Sequence, residues 1–225
     1  MEIEDDEILQ GFIEESLEDW KDLGVEGHFK ARHPWLPYHE FVTEGLAHVV
    51  GAKPSEVVAL GTLTNNLHLL LVSFYRPKGN RNKIVIEKGA FPSDYYAVKS
   101  QLDFHQVENG LLELTPRAGE DTLRTPDILD FLEKHKDEVA TVMLGGVNYL
   151  TGQAFDMQAI TKKAHAIGAT CGFDLAHAAG NLELKLNEWN VDYACWCSYK
   201  YMNSGPGGIA GIFVHEKHHK TKLPR

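Results

Sequence analysis

The chain has 225 residues, of which 43% are hydrophobic and 24% charged, and these fractions are typical of a folded globular protein. With 22 basic against 32 acidic side chains the formal net charge is −10, which argues against nucleic acid as a partner because phosphate binding requires clustered basic residues. No apolar run reaches the ~18 residues that span a bilayer, and three cysteines are too few for a disulfide framework, so we expect a cytoplasmic protein without a membrane partner.

The first half of the chain alternates between helical and strand-like periodicity. An apolar i, i+4, i+7 pattern precedes Gly24 and again Gly51, and each pattern predicts a helix that ends at that glycine. Residues 62–75 are apolar almost all round, which predicts a buried helix. Residues 83–87 (KIVIE) predict a strand, and Pro92 opens a helix that runs to about residue 101.

The second half alternates more regularly. Thr125 is the predicted N-cap of one helix, and Asp156 that of another. Continuous apolar strands are predicted at residues 139–144, 169–173, 192–197 and 209–214. Such strands, separated by helices, predict a three-layer α/β/α fold with a mostly parallel sheet covered on both faces. We expect one domain, with residues 1–50 as an N-terminal helical segment and residues 51–225 as the α/β core.

Three features together indicate pyridoxal phosphate chemistry. Lys200 lies between two tyrosines, just after a predicted buried strand. A partly desolvated amine is the nucleophile that a Schiff base needs. Asp174 ends another strand, where α/β folds bind ligands, and an acid there could keep a pyridine nitrogen protonated. Residues 60–66 (LGTLTNN) open a helix whose free N–H groups would bind phosphate. Taken singly, Lys200 is more often a surface lysine and Asp174 a helix cap, so the interpretation depends on the combination.

Several segments resemble the kynureninase family of fold-type-I pyridoxal-phosphate enzymes. The resemblance extends from about residue 20 to the C-terminus, and its segments are TLTNNLHLL (62–70), AFPSDYYA (90–97), TGQ (151–153), GFDLAHA (172–178) and ACWCSYKY (194–201). It implies a fold-type-I, transferase-like large domain that binds pyridoxal 5'-phosphate and forms a homodimer. The implied reaction is hydrolysis of kynurenine or 3-hydroxykynurenine to alanine and an anthranilate.

The same resemblance implies a role for each matching residue. Lys200 is the implied catalytic residue, which forms the Schiff base with the cofactor and then moves the α-proton, and Asp174 pairs with the pyridine nitrogen. The resemblance also implies phosphate contacts by Leu63, Thr64 and Tyr199, ring contacts by Phe91, Asp94 and His177, and a substrate contact by His28.

The chain departs from the family pattern in two ways. Gly145 lies in a segment where the family usually has a serine, so one hydroxyl contact with the cofactor is missing. The family also continues well past Arg225 into a small domain and has a glycine-rich segment before the first helix. We therefore expect this chain to be the large-domain portion, without the C-terminal small domain.

Two alternatives to a kynureninase remain open. One is a catalytically inactive chain of the same family, which binds the cofactor weakly or only pairs with a full-length partner. The other is a zinc hydrolase, because residues 215–219 (HEKHH) match the H-E-x-x-H pattern with His215 and His219 as ligands. That pattern follows a predicted strand in Lys-rich surroundings, which favours a solvated loop, so we expect no metal site.

Overall fold

The computed structural model describes the backbone of residues 2–221 and the side chains of residues 8–221. Contacts divide the chain into two compact units, Met1–Val42 and Thr43–Arg225. The first unit contains helix α1 (Glu2–Leu23), the short helix α2 (Gly27–Lys30) and 3-10 turns at Gly24–Glu26 and Tyr38–Glu40. As predicted, α1 ends before Gly24, whose φ of +52° is a left-handed conformation that glycine adopts readily.

The apolar face predicted for α1 is not buried. Ile13, Leu17 and Trp20 are each more than half exposed. Length explains part of this exposure, because a helix rises about 1.5 Å per residue and the four-residue α2 cannot cover a 22-residue helix along its length.

The second unit is a seven-stranded sheet with helices on both faces. Its helices are α3 (Thr43–Val50), α4 (Leu63–Phe74), α5 (Pro92–Phe104), α6 (Thr125–Lys134) and α7 (Met157–Ala166). Its strands are β1 (Val57–Ala59), β2 (Lys83–Glu87), β3 (Leu111–Leu114), β4 (Val139–Gly145), β5 (Thr170–Asp174), β6 (Tyr193–Trp196) and β7 (Gly211–Val214). The order across the sheet is β1-β7-β6-β5-β4-β2-β3. Strand β7 is antiparallel to β1 and to β6, and the other neighbours are parallel.

Each face of the sheet has its own hydrophobic core. Along β2, Val85 packs into the cluster that contains side chains of α3, α6 and α7, whereas Ile84 and Ile86 pack into the cluster that contains side chains of α4 and α5. Successive strand residues point to opposite faces, so one strand contributes to both cores. This arrangement confirms the predicted three-layer α/β/α fold with a mostly parallel sheet.

Some details differ from the prediction. Helix α4 is buried on one side only, since Leu69 and Val72 are about half exposed where the helix turns away from the sheet. Strand β3 has no counterpart among the predicted strands, because only its last residue is buried and the exposed Glu113 interrupts its apolar run. The N-cap of α6 is Arg124 instead of Thr125, while Asp156 does cap α7 by accepting the N–H of Ala159 at 2.9 Å. Among the described helices none is long and apolar enough to cross a bilayer.

Candidate functional site

A cleft of about 550 Å³ lies at the carboxyl ends of the parallel strands β2, β4 and β5 in the second unit. Ligands of open α/β sheets bind at this edge because loops, not helices, follow each strand there. The cleft is lined by all eight of the predicted cofactor and catalytic residues: Leu63, Thr64, Phe91, Asp94, Asp174, His177, Tyr199 and Lys200. Residues up to 137 positions apart in the chain are thus brought together in one cavity.

The predicted substrate residue His28 lies in the first unit, on α2. Its ring meets that of Trp35 edge-on at 5.5 Å between centroids. Its contact with substrate stays a prediction.

Asp174 and Asp94 form a hydrogen-bonded pair of buried carboxyl groups. Asp174 ends β5 and accepts the N–H of Ala176 at 2.7 Å, while Asp94 lies in the first turn of α5. Burial raises the pKa of both groups, and together with the charge of Asp174 and the hydrogen bond between them it raises the pKa of Asp94 to about 10. Asp174 is favoured as the ionised partner, because the hydrogen bond from Asp94, the N–H of Ala176 and the charge of Lys200 stabilise its carboxylate. The pair therefore holds one proton, on Asp94.

Lys200 and His177 are in direct contact across the cleft. The Nζ atom of Lys200 lies 2.9 Å from Nε2 of His177 and 5.7 Å from the centroid of the Phe91 ring. Burial and the charge of Lys200 both lower the pKa of His177, so its imidazole is neutral and accepts a hydrogen bond from the amine. The imidazole thus fixes the direction of the lysine side chain.

The loop that carries Lys200 is held by two specific features. Ser198 donates its hydroxyl to the carbonyl of Ile209 at 2.7 Å, and its Oγ lies 2.6 Å from Oγ of Ser204, which closes the loop at its base. Gly180 has a φ of +79°, and a Cβ there would lie 2.7 Å from the carbonyl oxygen of Tyr201. Only glycine allows the two backbones to approach this closely.

The amino end of α4 forms the anion-binding part of the cleft. Thr62 is its N-cap and accepts the N–H of Asn65 through Oγ1 at 3.4 Å. The N–H groups of Leu63 and Thr64 precede the first intrahelical hydrogen bond, and they donate to no partner among the described residues. Free amides at the positive end of a helix dipole bind phosphate groups.

Aromatic side chains form one wall. The ring of Phe91, the residue before α5, is 44% exposed and meets the ring of Tyr149 edge-on at a centroid distance of 5.1 Å. Tyr199 is 53% exposed, and its hydroxyl is hydrogen-bonded to the thiol of the buried Cys197. A flat ring bound in the cleft would find an apolar face in Phe91 and polar groups around its edge.

Sequence reasoning missed six residues that also line the cleft: Glu87, Ser93, Gly145, Val147, Tyr149 and Ala176. Glu87 could have been found, because an acid at the end of the buried run KIVIE is the same signal that identified Asp174. Gly145 was noted only for the absent serine hydroxyl, yet its N–H contacts Oε1 of Glu87 at 3.2 Å. Ser93 lies in the first turn of α5. Val147, Tyr149 and Ala176 reach the cleft through loop conformation, which leaves no periodic signal in the sequence.

The H-E-x-x-H pattern does not form a helix with two aligned histidines. Residues Glu216–His218 form a single 3-10 turn after β7, and His215 is buried against Glu56 and the carbonyl of Asn187. Within the described part of the chain no group of three or more histidine, cysteine or acidic side chains is placed to hold a metal ion. This geometry gives the zinc hypothesis no ligand set there.

The cleft residues fit pyridoxal phosphate, the cofactor that the resemblance implies. The free amides of Leu63 and Thr64 suit its phosphate, and the ionised Asp174 suits a protonated ring nitrogen. The Lys200 amine suits its aldehyde, and the cleft of about 550 Å³ has room for a flat ring against Phe91.

Comparison with known proteins places the chain in a family. Residues 13–224 match the family model described as Aminotransferase class-V. The kynureninase of Myxococcus xanthus is 63% identical over 217 residues, which cover 95% of this chain and 51% of that one. The kynureninase of Dictyostelium discoideum is 54% identical over 94% of this chain and 48% of its own length. The chain thus spans about half the length of the curated relatives it matches.

Solved structures share the fold at lower identity. The cystine C–S lyase C-DES, in complex with its product cysteine persulfide, matches 91% of this chain and 54% of its own with a TM-score of 0.71 and 18% identity. The ureidoglycine-glyoxylate aminotransferase of Bacillus subtilis matches 79% of this chain and 44% of its own with a TM-score of 0.63 and 21% identity. The chain therefore belongs to the class-V aminotransferase family, and the relatives that it matches over most of its length are kynureninases.

Proposed function

We propose that this chain carries the cofactor-binding half of a kynureninase-type hydrolase, which cleaves kynurenine or 3-hydroxykynurenine to alanine and an anthranilate. The observation that carries the proposal is the convergence of Lys200, the Asp94–Asp174 pair and the free amides of α4 in one cleft. The kynureninase relatives support the reaction type, with identities of 51–63% across most of this chain. The catalytic activity, the substrate and the partners of the whole protein are proposed here on the same grounds.

The cofactor of this function is pyridoxal 5'-phosphate. The N–H groups of Leu63 and Thr64 would hold its phosphate with help from Tyr199. Phe91 would contact its ring, and Asp174 would pair with the ring nitrogen. When bound, it supplies an electron sink that stabilises negative charge on the carbon atoms of an amino-acid substrate. Asp174 keeps that sink effective, because an ionised carboxylate in a low-dielectric site favours a protonated ring nitrogen.

Lys200 has two tasks in this proposal. Its amine would hold the cofactor through the aldehyde, and as a free amine it would accept the proton from the α-carbon of the substrate. Such a transfer requires the base to lie within hydrogen-bond reach of the proton. The neutral His177 orients the Lys200 amine, with 2.9 Å between its Nε2 and the Nζ of Lys200. His177 thereby positions Lys200.

The remaining parts of the function lie outside this cleft. We propose that His28 contacts the substrate, that the working protein is a homodimer and that it acts in the cytoplasm on a small-molecule substrate. A second candidate is kept because the chain spans about half the length of its relatives. In this candidate it is a catalytically inactive chain of the same family, which binds the cofactor weakly or only pairs with a full-length partner.

Cofactor binding and turnover together test the proposal. Pyridoxal phosphate added to the purified chain should give a visible absorption band, and borohydride should fix the cofactor on Lys200, as located by mass spectrometry. Lys200→Ala should lose both signals, while Lys185→Ala, which removes an exposed lysine paired with Glu183, should keep them.

Release of a fluorescent anthranilate from kynurenine or 3-hydroxykynurenine then separates the two candidates. Attachment with turnover supports the hydrolase, and attachment without turnover supports the inactive chain. A chain that binds no pyridoxal phosphate on Lys200 refutes the hydrolase.

A further inference from the structure

Glu87 is a buried acid in the cleft to which the proposed function gives no task. It ends β2, is 5% exposed and lines the same cavity as Lys200. Its carboxyl contacts the N–H of Gly145, with Oε1 at 3.2 Å and Oε2 at 3.4 Å, and its own backbone N–H. All of its partners among the described residues are therefore donors, so a proton on this carboxyl has no acceptor there.

Crowding of acids favours a proton on Glu87. Asp94 and Asp174 lie in the same cleft and are equally buried, at 4% and 7% exposure. Asp94 already holds a proton, and carboxylates that share a low-dielectric site repel one another, so the ionised Asp174 disfavours a second negative charge on Glu87. Burial raises the pKa of Glu87 more than the two backbone N–H groups that its carboxyl accepts lower it, and the charge of Asp174 raises it further. The un-ionised acid then carries an O–H group that is shielded from water.

We propose that Glu87 is a further cofactor-binding residue, whose un-ionised carboxyl donates an O–H hydrogen bond to an acceptor on the bound ring while it keeps the Gly145 N–H. This inference rests on the proposed function, which supplies a pyridine ring to the cleft. A buried donor without an acceptor is unfavourable, and a ligand acceptor removes that penalty. Besides its nitrogen, the pyridoxal ring offers a phenolic oxygen, which is the acceptor that this O–H would take.

The other groups around Glu87 set the background for a pH experiment. Strands β3 and β4 flank it with Leu114 and Gly145, which do not titrate. The titratable and charged groups that face it from α5, from the end of β5 and from the loop after β6 are Asp94, Asp174, His177, Tyr199 and Lys200. All of them remain in a Glu87 variant, so the ratio of variant to wild-type affinity reports on Glu87 itself.

The experiment measures binding of pyridoxine 5'-phosphate, which lacks the aldehyde and so cannot attach to Lys200. Affinities are measured from about pH 5 to about pH 9, above the ordinary carboxyl range. Wild-type affinity should fall by up to about tenfold per pH unit above the pKa of Glu87, relative to Glu87→Gln, because binding requires the proton. The glutamine amide donates and accepts at every pH, so Glu87→Gln should bind within about threefold of wild type at the acid end. Glu87→Met should bind about tenfold more weakly there, which is the value of one lost hydrogen bond.

A purely structural role predicts a different result. Ionised Glu87 still accepts the Gly145 N–H, so a residue that only held β4 in place would give no pH-dependent ratio. Parallel profiles for wild type and Glu87→Gln therefore overturn the inference, and their comparison suffices if Glu87→Met does not fold. Glu113→Gln, an exposed acid on β3, is the matched control and should follow wild type. Failure of pyridoxal phosphate to attach to Lys200 would instead refute the proposed function.

Discussion

The assignment of one proton to Asp94 makes an asymmetric prediction for the two acids of the pair. Asp94→Asn replaces a protonated donor by an amide N–H donor, so the hydrogen bond to Asp174 survives. Asp174→Asn removes the charge that faces the ring nitrogen, although its amide oxygen can still accept the N–H of Ala176, now at 2.7 Å. Both variants should fold, and only the second should lose affinity for the cofactor.

The expected magnitude comes from the kind of interaction removed. A hydrogen bond to a charged group contributes about 1.5–3 kcal/mol, so Asp174→Asn should weaken binding of pyridoxal phosphate by roughly 10- to 150-fold. Asp94→Asn exchanges one neutral donor for another and should change the affinity by less than about threefold. The neutral state of Asp94 follows from its burial and from a pKa raised to about 10.

Titration of the cofactor-free protein with pyridoxal phosphate at neutral pH, followed by absorbance, measures both dissociation constants. Thermal unfolding of each variant checks that the fold is intact. Equal losses for Asp94→Asn and Asp174→Asn would refute the reasoning, because they would mean that the proton is not localised on Asp94.

Three further predictions concern stability. The unfolding midpoint of the cofactor-free wild type should fall relative to that of Asp94→Asn as the pH rises from about 5 to about 9. The reason is that Asp94 keeps its proton in the folded state but loses it in the unfolded chain, above the ordinary carboxyl pKa. A constant difference between the two midpoints would contradict this. Asp192→Asn should destabilise the fold by about 3–5 kcal/mol in urea unfolding at neutral pH, because it leaves the basic groups of two histidines and a lysine without their buried partner. Burial raises the pKa of Asp192, but these hydrogen bonds outweigh burial and hold that pKa well below its usual range. The contribution of Asp192 to stability should therefore be present above about pH 4 and diminish as the pH falls. An Asp192→Asn variant whose stability falls with acid as that of wild type does would disprove this. Gly172→Ala should cost roughly 1–3 kcal/mol in thermal unfolding, because its Cβ would lie 2.0 Å from the Tyr193 ring, and an unchanged midpoint would show that the ring can move.

Local sequence signals were sufficient for most of the secondary structure. The strands β2, β4, β5, β6 and β7 and the helices between them follow from runs of apolar residues bounded by glycine, proline and capping residues. Prediction failed where the signal is short or depends on neighbours. Strand β3 is an edge strand whose apolar run is interrupted by the exposed Glu113, and α4 is only half buried because one side of it turns away from the sheet.

For the site, the sequence by itself identified the candidate residues. They are an amine, an acid and a helix start, each beside a local pattern, and a resemblance predicted the residues around them. Only the tertiary structure decided their relations. Burial and charges from other parts of the fold put the proton on Asp94, keep His177 neutral and raise the pKa of Glu87. These properties arise from distances and dielectric environment, which a one-dimensional pattern does not contain, because the contributing residues are far apart in the chain and meet only where the parallel strands end.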